Sequence, residues 1–359
     1  MKPPRTAVNR RQLLRLGRRD PGYSSGTELP AVEGEYPDLV RVHRPAMGSY
    51  FEVRLPVSTP GGVDLACRAL DLVDALEAQL TVYGDDSEVS RLNARAHHGP
   101  VEVEAGLFGL LQQAVVLSQE TDGAYDVTSG ALSEAWGFVR GPKRVPDQET
   151  LADARARTGW RHLRLDSEQR TVAFDRGGVR INLGSIGKGY AIDRAVDVIR
   201  SHWWPTSGLV HGGRSSLFAL GSPPGQLGGR WEIALRNPFQ PESPLGSIRL
   251  RNRALGTSGS SFQQFVIDGR VYGHIIDPRS GQPAQGPASV TVLAPTAALA
   301  DALSTAFYLL GHDDASAYVA RHPEIGAVLV EAGTAEGSPR VRLLGLSEQD
   351  FVPAPHALN

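Results

Sequence analysis

The chain has 359 residues, with 41% hydrophobic and 21% charged content, enough for a sizeable core in one or two domains of ordinary globular composition. A net charge of −2 gives no whole-molecule argument for nucleic-acid binding, and no run approaches the ~18 apolar residues of a membrane span. The single cysteine, Cys67, excludes an intramolecular disulfide.

The N-terminus differs from the rest. Lys2, Arg5, Arg10, Arg11, Arg15, Arg18 and Arg19 face one acidic group, Asp20, within the first 20 residues. Asn9-Arg10-Arg11-Gln12-Leu13-Leu14 looks like the start of a twin-arginine signal, yet Arg18-Arg19-Asp20-Pro21-Gly22 stands where an apolar stretch belongs. Residues 1–37 therefore read as a disordered basic tail, a decayed export signal able to touch anionic lipid or a partner. This favours a cytoplasmic or membrane-peripheral protein, and a working signal would place it on the exported side.

The folded domain is expected over residues 38–346, with 347–359 as a C-terminal tail. Residues 41–55 predict one strand running through Met47-Gly48. Leu65, Leu72, Leu76 and Leu80 give residues 64–80 a helical period, and residues 106–121 predict a second helix before Asp122-Gly123. Strands are expected at 161–174 and 179–183 around a turn at Asp175-Arg176-Gly177-Gly178, then a helix over 189–200. Short strands follow at 209–221, 231–236, 247–258, 262–267 and 288–294. A helix over 296–310 has Thr296 as N-cap and Gly311 at C′, and residues 325–345 close the chain as a hairpin. Strands and helices mix without regular βαβ alternation, which predicts an α+β fold.

Several segments carry candidate chemistry. Asn182 to Asp193 is a Gly-rich turn from a strand into a helix; its amides can receive phosphate and Lys188 adds a charge. The other reading is a tight turn capped by an exposed lysine. Asp301 and Thr305 lie four residues apart on one face of an apolar helix. Such hard oxygen donors suit Mg²⁺ rather than zinc. The competing reading is an exposed carboxylate near a helix start and a hydroxyl bonded one turn back. His274 and Asp277 stand three residues apart beside a Pro/Gly turn, as a general base and the carboxylate orienting it, or as a structural turn histidine. Gly123-Ala124-Tyr125-Asp126 and Trp136-Gly137-Phe138 can flank a flavin or adenine ring, or are core aromatics beside a turn.

These segments occur in the order and rough spacing of one family. Met47-Gly48-Ser49, Thr81-Val82-Tyr83, Ser87 to Asn93, Gly123 to Asp126, Trp136-Gly137-Phe138, Leu183 to Asp193, Thr257-Ser258-Gly259, His274 to Pro278 with Gly281, and Asp301 to Thr305 together resemble the FAD:protein FMN transferases, the ApbE family. The resemblance covers about 41–311. It implies a single T-fold-like α+β domain of twisted mixed or antiparallel sheets with flanking helices. It implies Mg²⁺-dependent cleavage of FAD, release of AMP, and attachment of FMN to a Ser or Thr of a target flavoprotein, a redox membrane complex subunit or similar. Carried onto this chain, Met47, Tyr83, Ala124, Tyr125, Asp126, Lys188, Asp193 and Ile275 would contact FAD. Asp301, Thr305 and the Ala191 carbonyl would bind Mg²⁺. His274, with Asp277, would take the acceptor proton.

The chain departs from the family where His211-Gly212-Gly213-Arg214 replaces an Asn before the glycines and an Asp after them, and where Ser260-Ser261-Phe262 follows Gly259. It carries no lipobox cysteine. Two alternatives remain at the level of sequence: an FAD pyrophosphatase releasing free FMN and AMP, and a non-catalytic flavin-binding protein.

Overall fold

The structure is a computed structural model and describes residues 36, 38–139, 141–202, 207–259, 264–333 and 338–355. Residues 1–35 and 37 of the basic tail, and Ser260-Ser261-Phe262, lie outside them. Strands β1 (Leu39–Ala46) and β2 (Ser49–Pro56) lead into helices α1 (Gly62–Leu80) and α2 (Glu88–Arg95). Next come β3 (Val101–Glu102), α3 (Ala105–Glu120), α4 (Gly130–Ala135), α5 (Gln148–Ala156), β4 (Leu163–Asp166), β5 (Thr171–Phe174) and α6 (Gly187–His202). The second half holds β6 (Ser207–Gly212), β7 (Ser216–Gly221), β8 (Trp231–Leu235), β9 (Gly246–Leu250), β10 (Arg253–Gly259), β11 (Gln264–Ile267) and β12 (Arg270–Gly273). It closes with β13 (Ser289–Ala294), α7 (Ala297–Arg321), β14 (Gly326–Ala332), β15 (Pro339–Leu344) and β16 (Phe351–Pro353).

An eight-stranded antiparallel sheet, ordered β1-β2-β6-β7-β10-β13-β14-β15, forms the frame. Both faces are covered, which explains why its inner strands read as near-continuous apolar runs. Val210, Phe218, Ala254, Val292 and Leu329 face α1, α6 and α7 in the main core. Their neighbours Leu209, Leu217, Leu255, Leu293 and Val328 face a second core with Trp231 and Ile248 of the β8-β9-β16 sheet. The α+β expectation holds. Among the described residues no helix is long and apolar enough to cross a membrane.

Four local expectations change. The strand over 41–55 is a hairpin, because Met47 and Gly48 take φ of 51° and 67° and close a two-residue turn. Met is not a usual turn residue at positive φ, so its sequence gave no break. The expected strand at 179–183 is a single parallel bridge from Arg180 to Ser129; the hairpin turns instead between β4 and β5, at residues 167–170. The helix from 297 runs past Gly311 to Arg321, but Gly311 (φ 74°, ψ −169°) interrupts it at the predicted C′ position. The tail expected from residue 347 is partly folded: β16 pairs with β9, and Phe351 is buried. Three residues are too short to show a period.

Two glycines let the central elements touch. A Cβ on Gly189 would stand 2.1 Å from the Ala297 carbonyl oxygen, and one on Gly256 would stand 2.5 Å from the Ala300 carbonyl carbon. Only glycine lets α6 and β10 approach the first turns of α7 this closely.

Candidate active site

The start of α7 is built by groups from three elements. Thr296 Oγ1 accepts from Leu299 N at 3.3 Å, the predicted N-cap. The Asp193 carboxylate, from α6, accepts from Ala297 N at 2.7 Å and Ala298 N at 2.9 Å. Burial pushes Asp193 up to about 7, with the charges of Asp301 and Asp197 adding to the rise. One turn into α7, Asp301 is buried, which overturns the reading of an exposed carboxylate. Its Oδ2 accepts from Gly189 N at 2.8 Å and its Oδ1 from Ser216 Oγ at 2.6 Å. Burial pushes it up to about 6, opposed by the Lys188 charge and those two hydrogen bonds.

Lys188 is not the exposed lysine of the alternative reading. Its Nζ donates to Ser215 Oγ at 2.7 Å, and Ser215 Oγ lies 3.2 Å from Ser216 Oγ. On the other side of Asp301, Ser258 Oγ lies 2.8 Å from Ser304 Oγ and 3.1 Å from Thr305 Oγ1, while Thr305 Oγ1 also approaches the Asp301 carbonyl at 3.4 Å. Ala191 is fully buried in α6, near this group in sequence. The expected ligand set thus presents only hard oxygens. Among the described residues no three or more His, Cys, Asp or Glu side chains gather to hold a metal.

The glycine-rich turn differs from a phosphate cradle. Gly184 N donates to Asn182 Oδ1, Ile186 N and Gly187 N to Leu183 O, and Gly189 N to Asp301. These amides serve the turn itself. What the turn offers outward is the Lys188 charge.

The remaining residues line two flanks. Residues 123–128 are tied to this turn by Asn182 N donating to Val127 O at 2.7 Å. Ala124 and Tyr125 are buried there; burial, then the charges of Asp126 and Asp301, raises the Tyr125 hydroxyl. The resemblance gives Asp126 and Asp193 to FAD, but here both carboxylates hold protein groups. Asp126 accepts from Thr128 N (2.8 Å), Thr128 Oγ1 (2.6 Å) and Trp160 N (2.7 Å). Tyr83 is 67% exposed on the loop before α2, whose N-cap is Ser87. Beside it lies a cavity of about 230 Å³ lined by Val82, Asp85, Asn93, Glu134, Arg180 and Asn182. Met47 packs at the edge of the main core.

The second flank is the 274–281 turn. Trp136 Nε1 donates to Gly281 O at 2.9 Å, and the Phe138 ring meets the His274 ring edge-on at 6.5 Å. Ile275 is buried and its carbonyl accepts from Ala284 N. The Asp277 carboxylate receives a fork from Arg279, Nε to Oδ1 and Nη2 to Oδ2, each at 2.9 Å. The i+2 arginine was visible in sequence, but a turn that folds it back was not.

Sequence reasoning missed Ser215 and Ser216 as partners of the charged groups. Their signal was two serines opening an otherwise apolar strand. It also gave His211 more weight than the structure does. Val210 faces the helices, so His211 faces the opposite side of the sheet from Asp301, opposite Glu52 in register and fully buried. Burial, with the nearby Arg54 and Arg41 charges, holds its imidazole well below the ordinary range.

The sequence model described as the ApbE family matches residues 47–329. A Treponema pallidum (strain Nichols) protein named FAD:protein FMN transferase is 30% identical over 272 residues, covering 72% of this chain and 75% of its own. A Vibrio cholerae serotype O1 protein of the same name is 31% identical over 296 residues, covering 80% of this chain and 85% of its own. The crystal structure of an ApbE protein from Thermotoga maritima matches with a TM-score of 0.76 at 29% identity, over 85% of this chain and 97% of that one.

Proposed function

We propose, because the chain belongs to the ApbE family, that it is a transferase moving FMN from FAD to a Ser or Thr hydroxyl of a target flavoprotein, dependent on Mg²⁺ and releasing AMP. The observation that carries the reading is Asp301: a buried carboxylate with each oxygen fixed by one donor, facing a hydroxyl cluster and joined to a lysine. Asp301, Thr305 and the Ala191 carbonyl would hold the metal, whose bound chemistry is neutralisation of charge on pyrophosphate oxygens.

The acceptor hydroxyl oxygen forms a bond to the FMN phosphorus, and the bond from that phosphorus to the AMP oxygen breaks. His274, on the flank turn, receives the hydroxyl proton. Lys188 offers positive charge to the pyrophosphate, as phosphoryl transfer depends on positioning and electrostatic stabilisation. Tyr83 supplies exposed aromatic surface for the flavin, while Tyr125 and Ile275 are buried beneath the flanks. Asp193 and Asp126 act behind them, Asp193 by holding the start of α7 and Asp126 by tying Thr128 to Trp160.

The test is incubation with FAD, Mg²⁺ and a Ser/Thr-bearing acceptor domain, with an EDTA control, followed by chromatography for AMP and intact mass of the acceptor. AMP together with an FMN-sized mass gain supports the reading. AMP with free FMN and an unmodified acceptor points to water as the attacking group. FAD binding without AMP overturns the catalytic reading.

A further inference from the structure

We infer that Ser215 and Ser216 are positioning residues that join Lys188 to Asp301 and set how the Asp301 carboxylate faces a divalent cation. The inference rests on the Mg²⁺-dependent reading above. Its basis is the direction of the hydrogen bonds. Lysine only donates and an ionised carboxylate only accepts. Lys188 Nζ therefore donates to Ser215 Oγ (2.7 Å), and Ser216 Oγ donates to Asp301 Oδ1 (2.6 Å). The contact between the serines, 3.2 Å, then takes the Ser215 hydrogen to Ser216. Each hydroxyl uses its one hydrogen once, and the run leads from cation to anion without a reversal.

The arrangement has two consequences. Gly189 N holds Oδ2 while Ser216 holds Oδ1, so the carboxylate plane is fixed by a helix amide on one side and a strand hydroxyl on the other. Each oxygen retains a lone pair for a cation. The serines are themselves fixed. Gly213, at φ 69°, turns β6 into β7, and Ser215 O accepts from Thr257 N at 2.7 Å on β10. Ser216 shares the helix-facing side of β7 with Phe218 and Leu220. The central sheet thereby sets both charges. Groups that orient a metal ligand from outside the coordination sphere are worth about 10–100-fold in metal affinity.

The experiment uses the full chain as wild type, Ser216→Ala, Ser216→Thr and Ser215→Ala. FAD affinity is measured in EDTA by flavin fluorescence, and Mg²⁺ is titrated calorimetrically into the FAD-loaded protein. Ser216→Ala is expected to weaken Mg²⁺ binding by about tenfold or more, with FAD affinity in EDTA unchanged. Ser216→Thr keeps the hydroxyl and restores the Mg²⁺ affinity. Ser215→Ala, which removes only the link to Lys188, gives a smaller loss in the same direction and serves if Ser216→Ala does not fold. A lowered Tm with wild-type Mg²⁺ affinity in both alanine variants overturns the inference and leaves the function standing. Wild-type protein that takes up no Mg²⁺ with FAD bound overturns both.

Discussion

Replacing Asp301 by Asn separates the cost of its charge from its use. Burial holds the carboxyl up to about 6 against an ordinary 3.8. At pH 7.5 the ionised group therefore carries about 3 kcal/mol of desolvation not offset by Lys188, Ser216 or Gly189, at about 1.4 kcal/mol per tenfold. The folded state binds this proton more tightly than the unfolded state. Stability from the group is thus present below about pH 4 and falls as pH rises to about 6, above which the loss is complete. Asn fits the same partners, its oxygen accepting from Gly189 N and its amide donating to Ser216 Oγ. The metal-free variant is expected to gain up to about 3 kcal/mol at pH 7.5, a rise in Tm of several degrees at ~2–4 °C per kcal/mol, and to converge with wild type below about pH 4. It is expected to lose both the Mg²⁺-dependent rise in Tm with FAD and the Mg²⁺-dependent release of AMP. Thermal unfolding across pH, with and without FAD and Mg²⁺, checks all of this. An Asn variant that responds to Mg²⁺ as wild type does would refute the metal assignment, and one less stable at pH 7.5 would refute the electrostatic account.

His274→Ala is expected to keep FAD binding while transfer slows by ~10²–10⁴-fold; loss of FAD binding with unchanged residual turnover would remove the base role. Gly189→Ala places a methyl 2.1 Å from Ala297 O, so its urea midpoint should fall by the equivalent of roughly 1–3 kcal/mol; an unchanged midpoint would mean α6 and α7 are farther apart. Because Asp193 is also held up, to about 7, the metal-free protein should lose stability between about pH 4 and 7, and Asp193→Asn should flatten that slope in urea titrations at pH 5 and 7.5. A slope as steep as wild type would show that other groups carry it.

How far the sequence revealed the site depends on what each residue's role rests on. Thr296 and Gly311 were legible because cap chemistry is local: one hydroxyl accepts an amide three residues on, and one positive φ ends a helical run. Asp301 was legible because a carboxylate inside Ala300-Ala302-Leu303 conflicts with its surroundings. The Arg279 fork on Asp277 was not legible because the pairing depends on how the turn folds the arginine back. Ser215 and Ser216 were invisible because their importance lies in pairing strands 85 residues from Asp301, a distance that local patterns do not carry. The Met47-Gly48 hairpin was missed because tertiary pairing overrode Met's reluctance to take positive φ.

The same long-range contacts bear on the kind of phosphate site that the proposed function requires. In a loop that cradles phosphate with amides, the backbone N–H groups must stay free for the ligand. Here the amides of Gly184, Ile186, Gly187 and Gly189 are taken up within the protein, and those opening α7 are held by Asp193. Two helix starts that would attract an anion are thus closed by a backbone carbonyl and two carboxylates. On the proposed reading, anion binding comes from Lys188 and from a cation held at Asp301. Both are side-chain devices fixed by the sheet, and both vanish with single substitutions. On the proposed reading the metal adds to the hold on the pyrophosphate and supplies the charge that the transfer step needs.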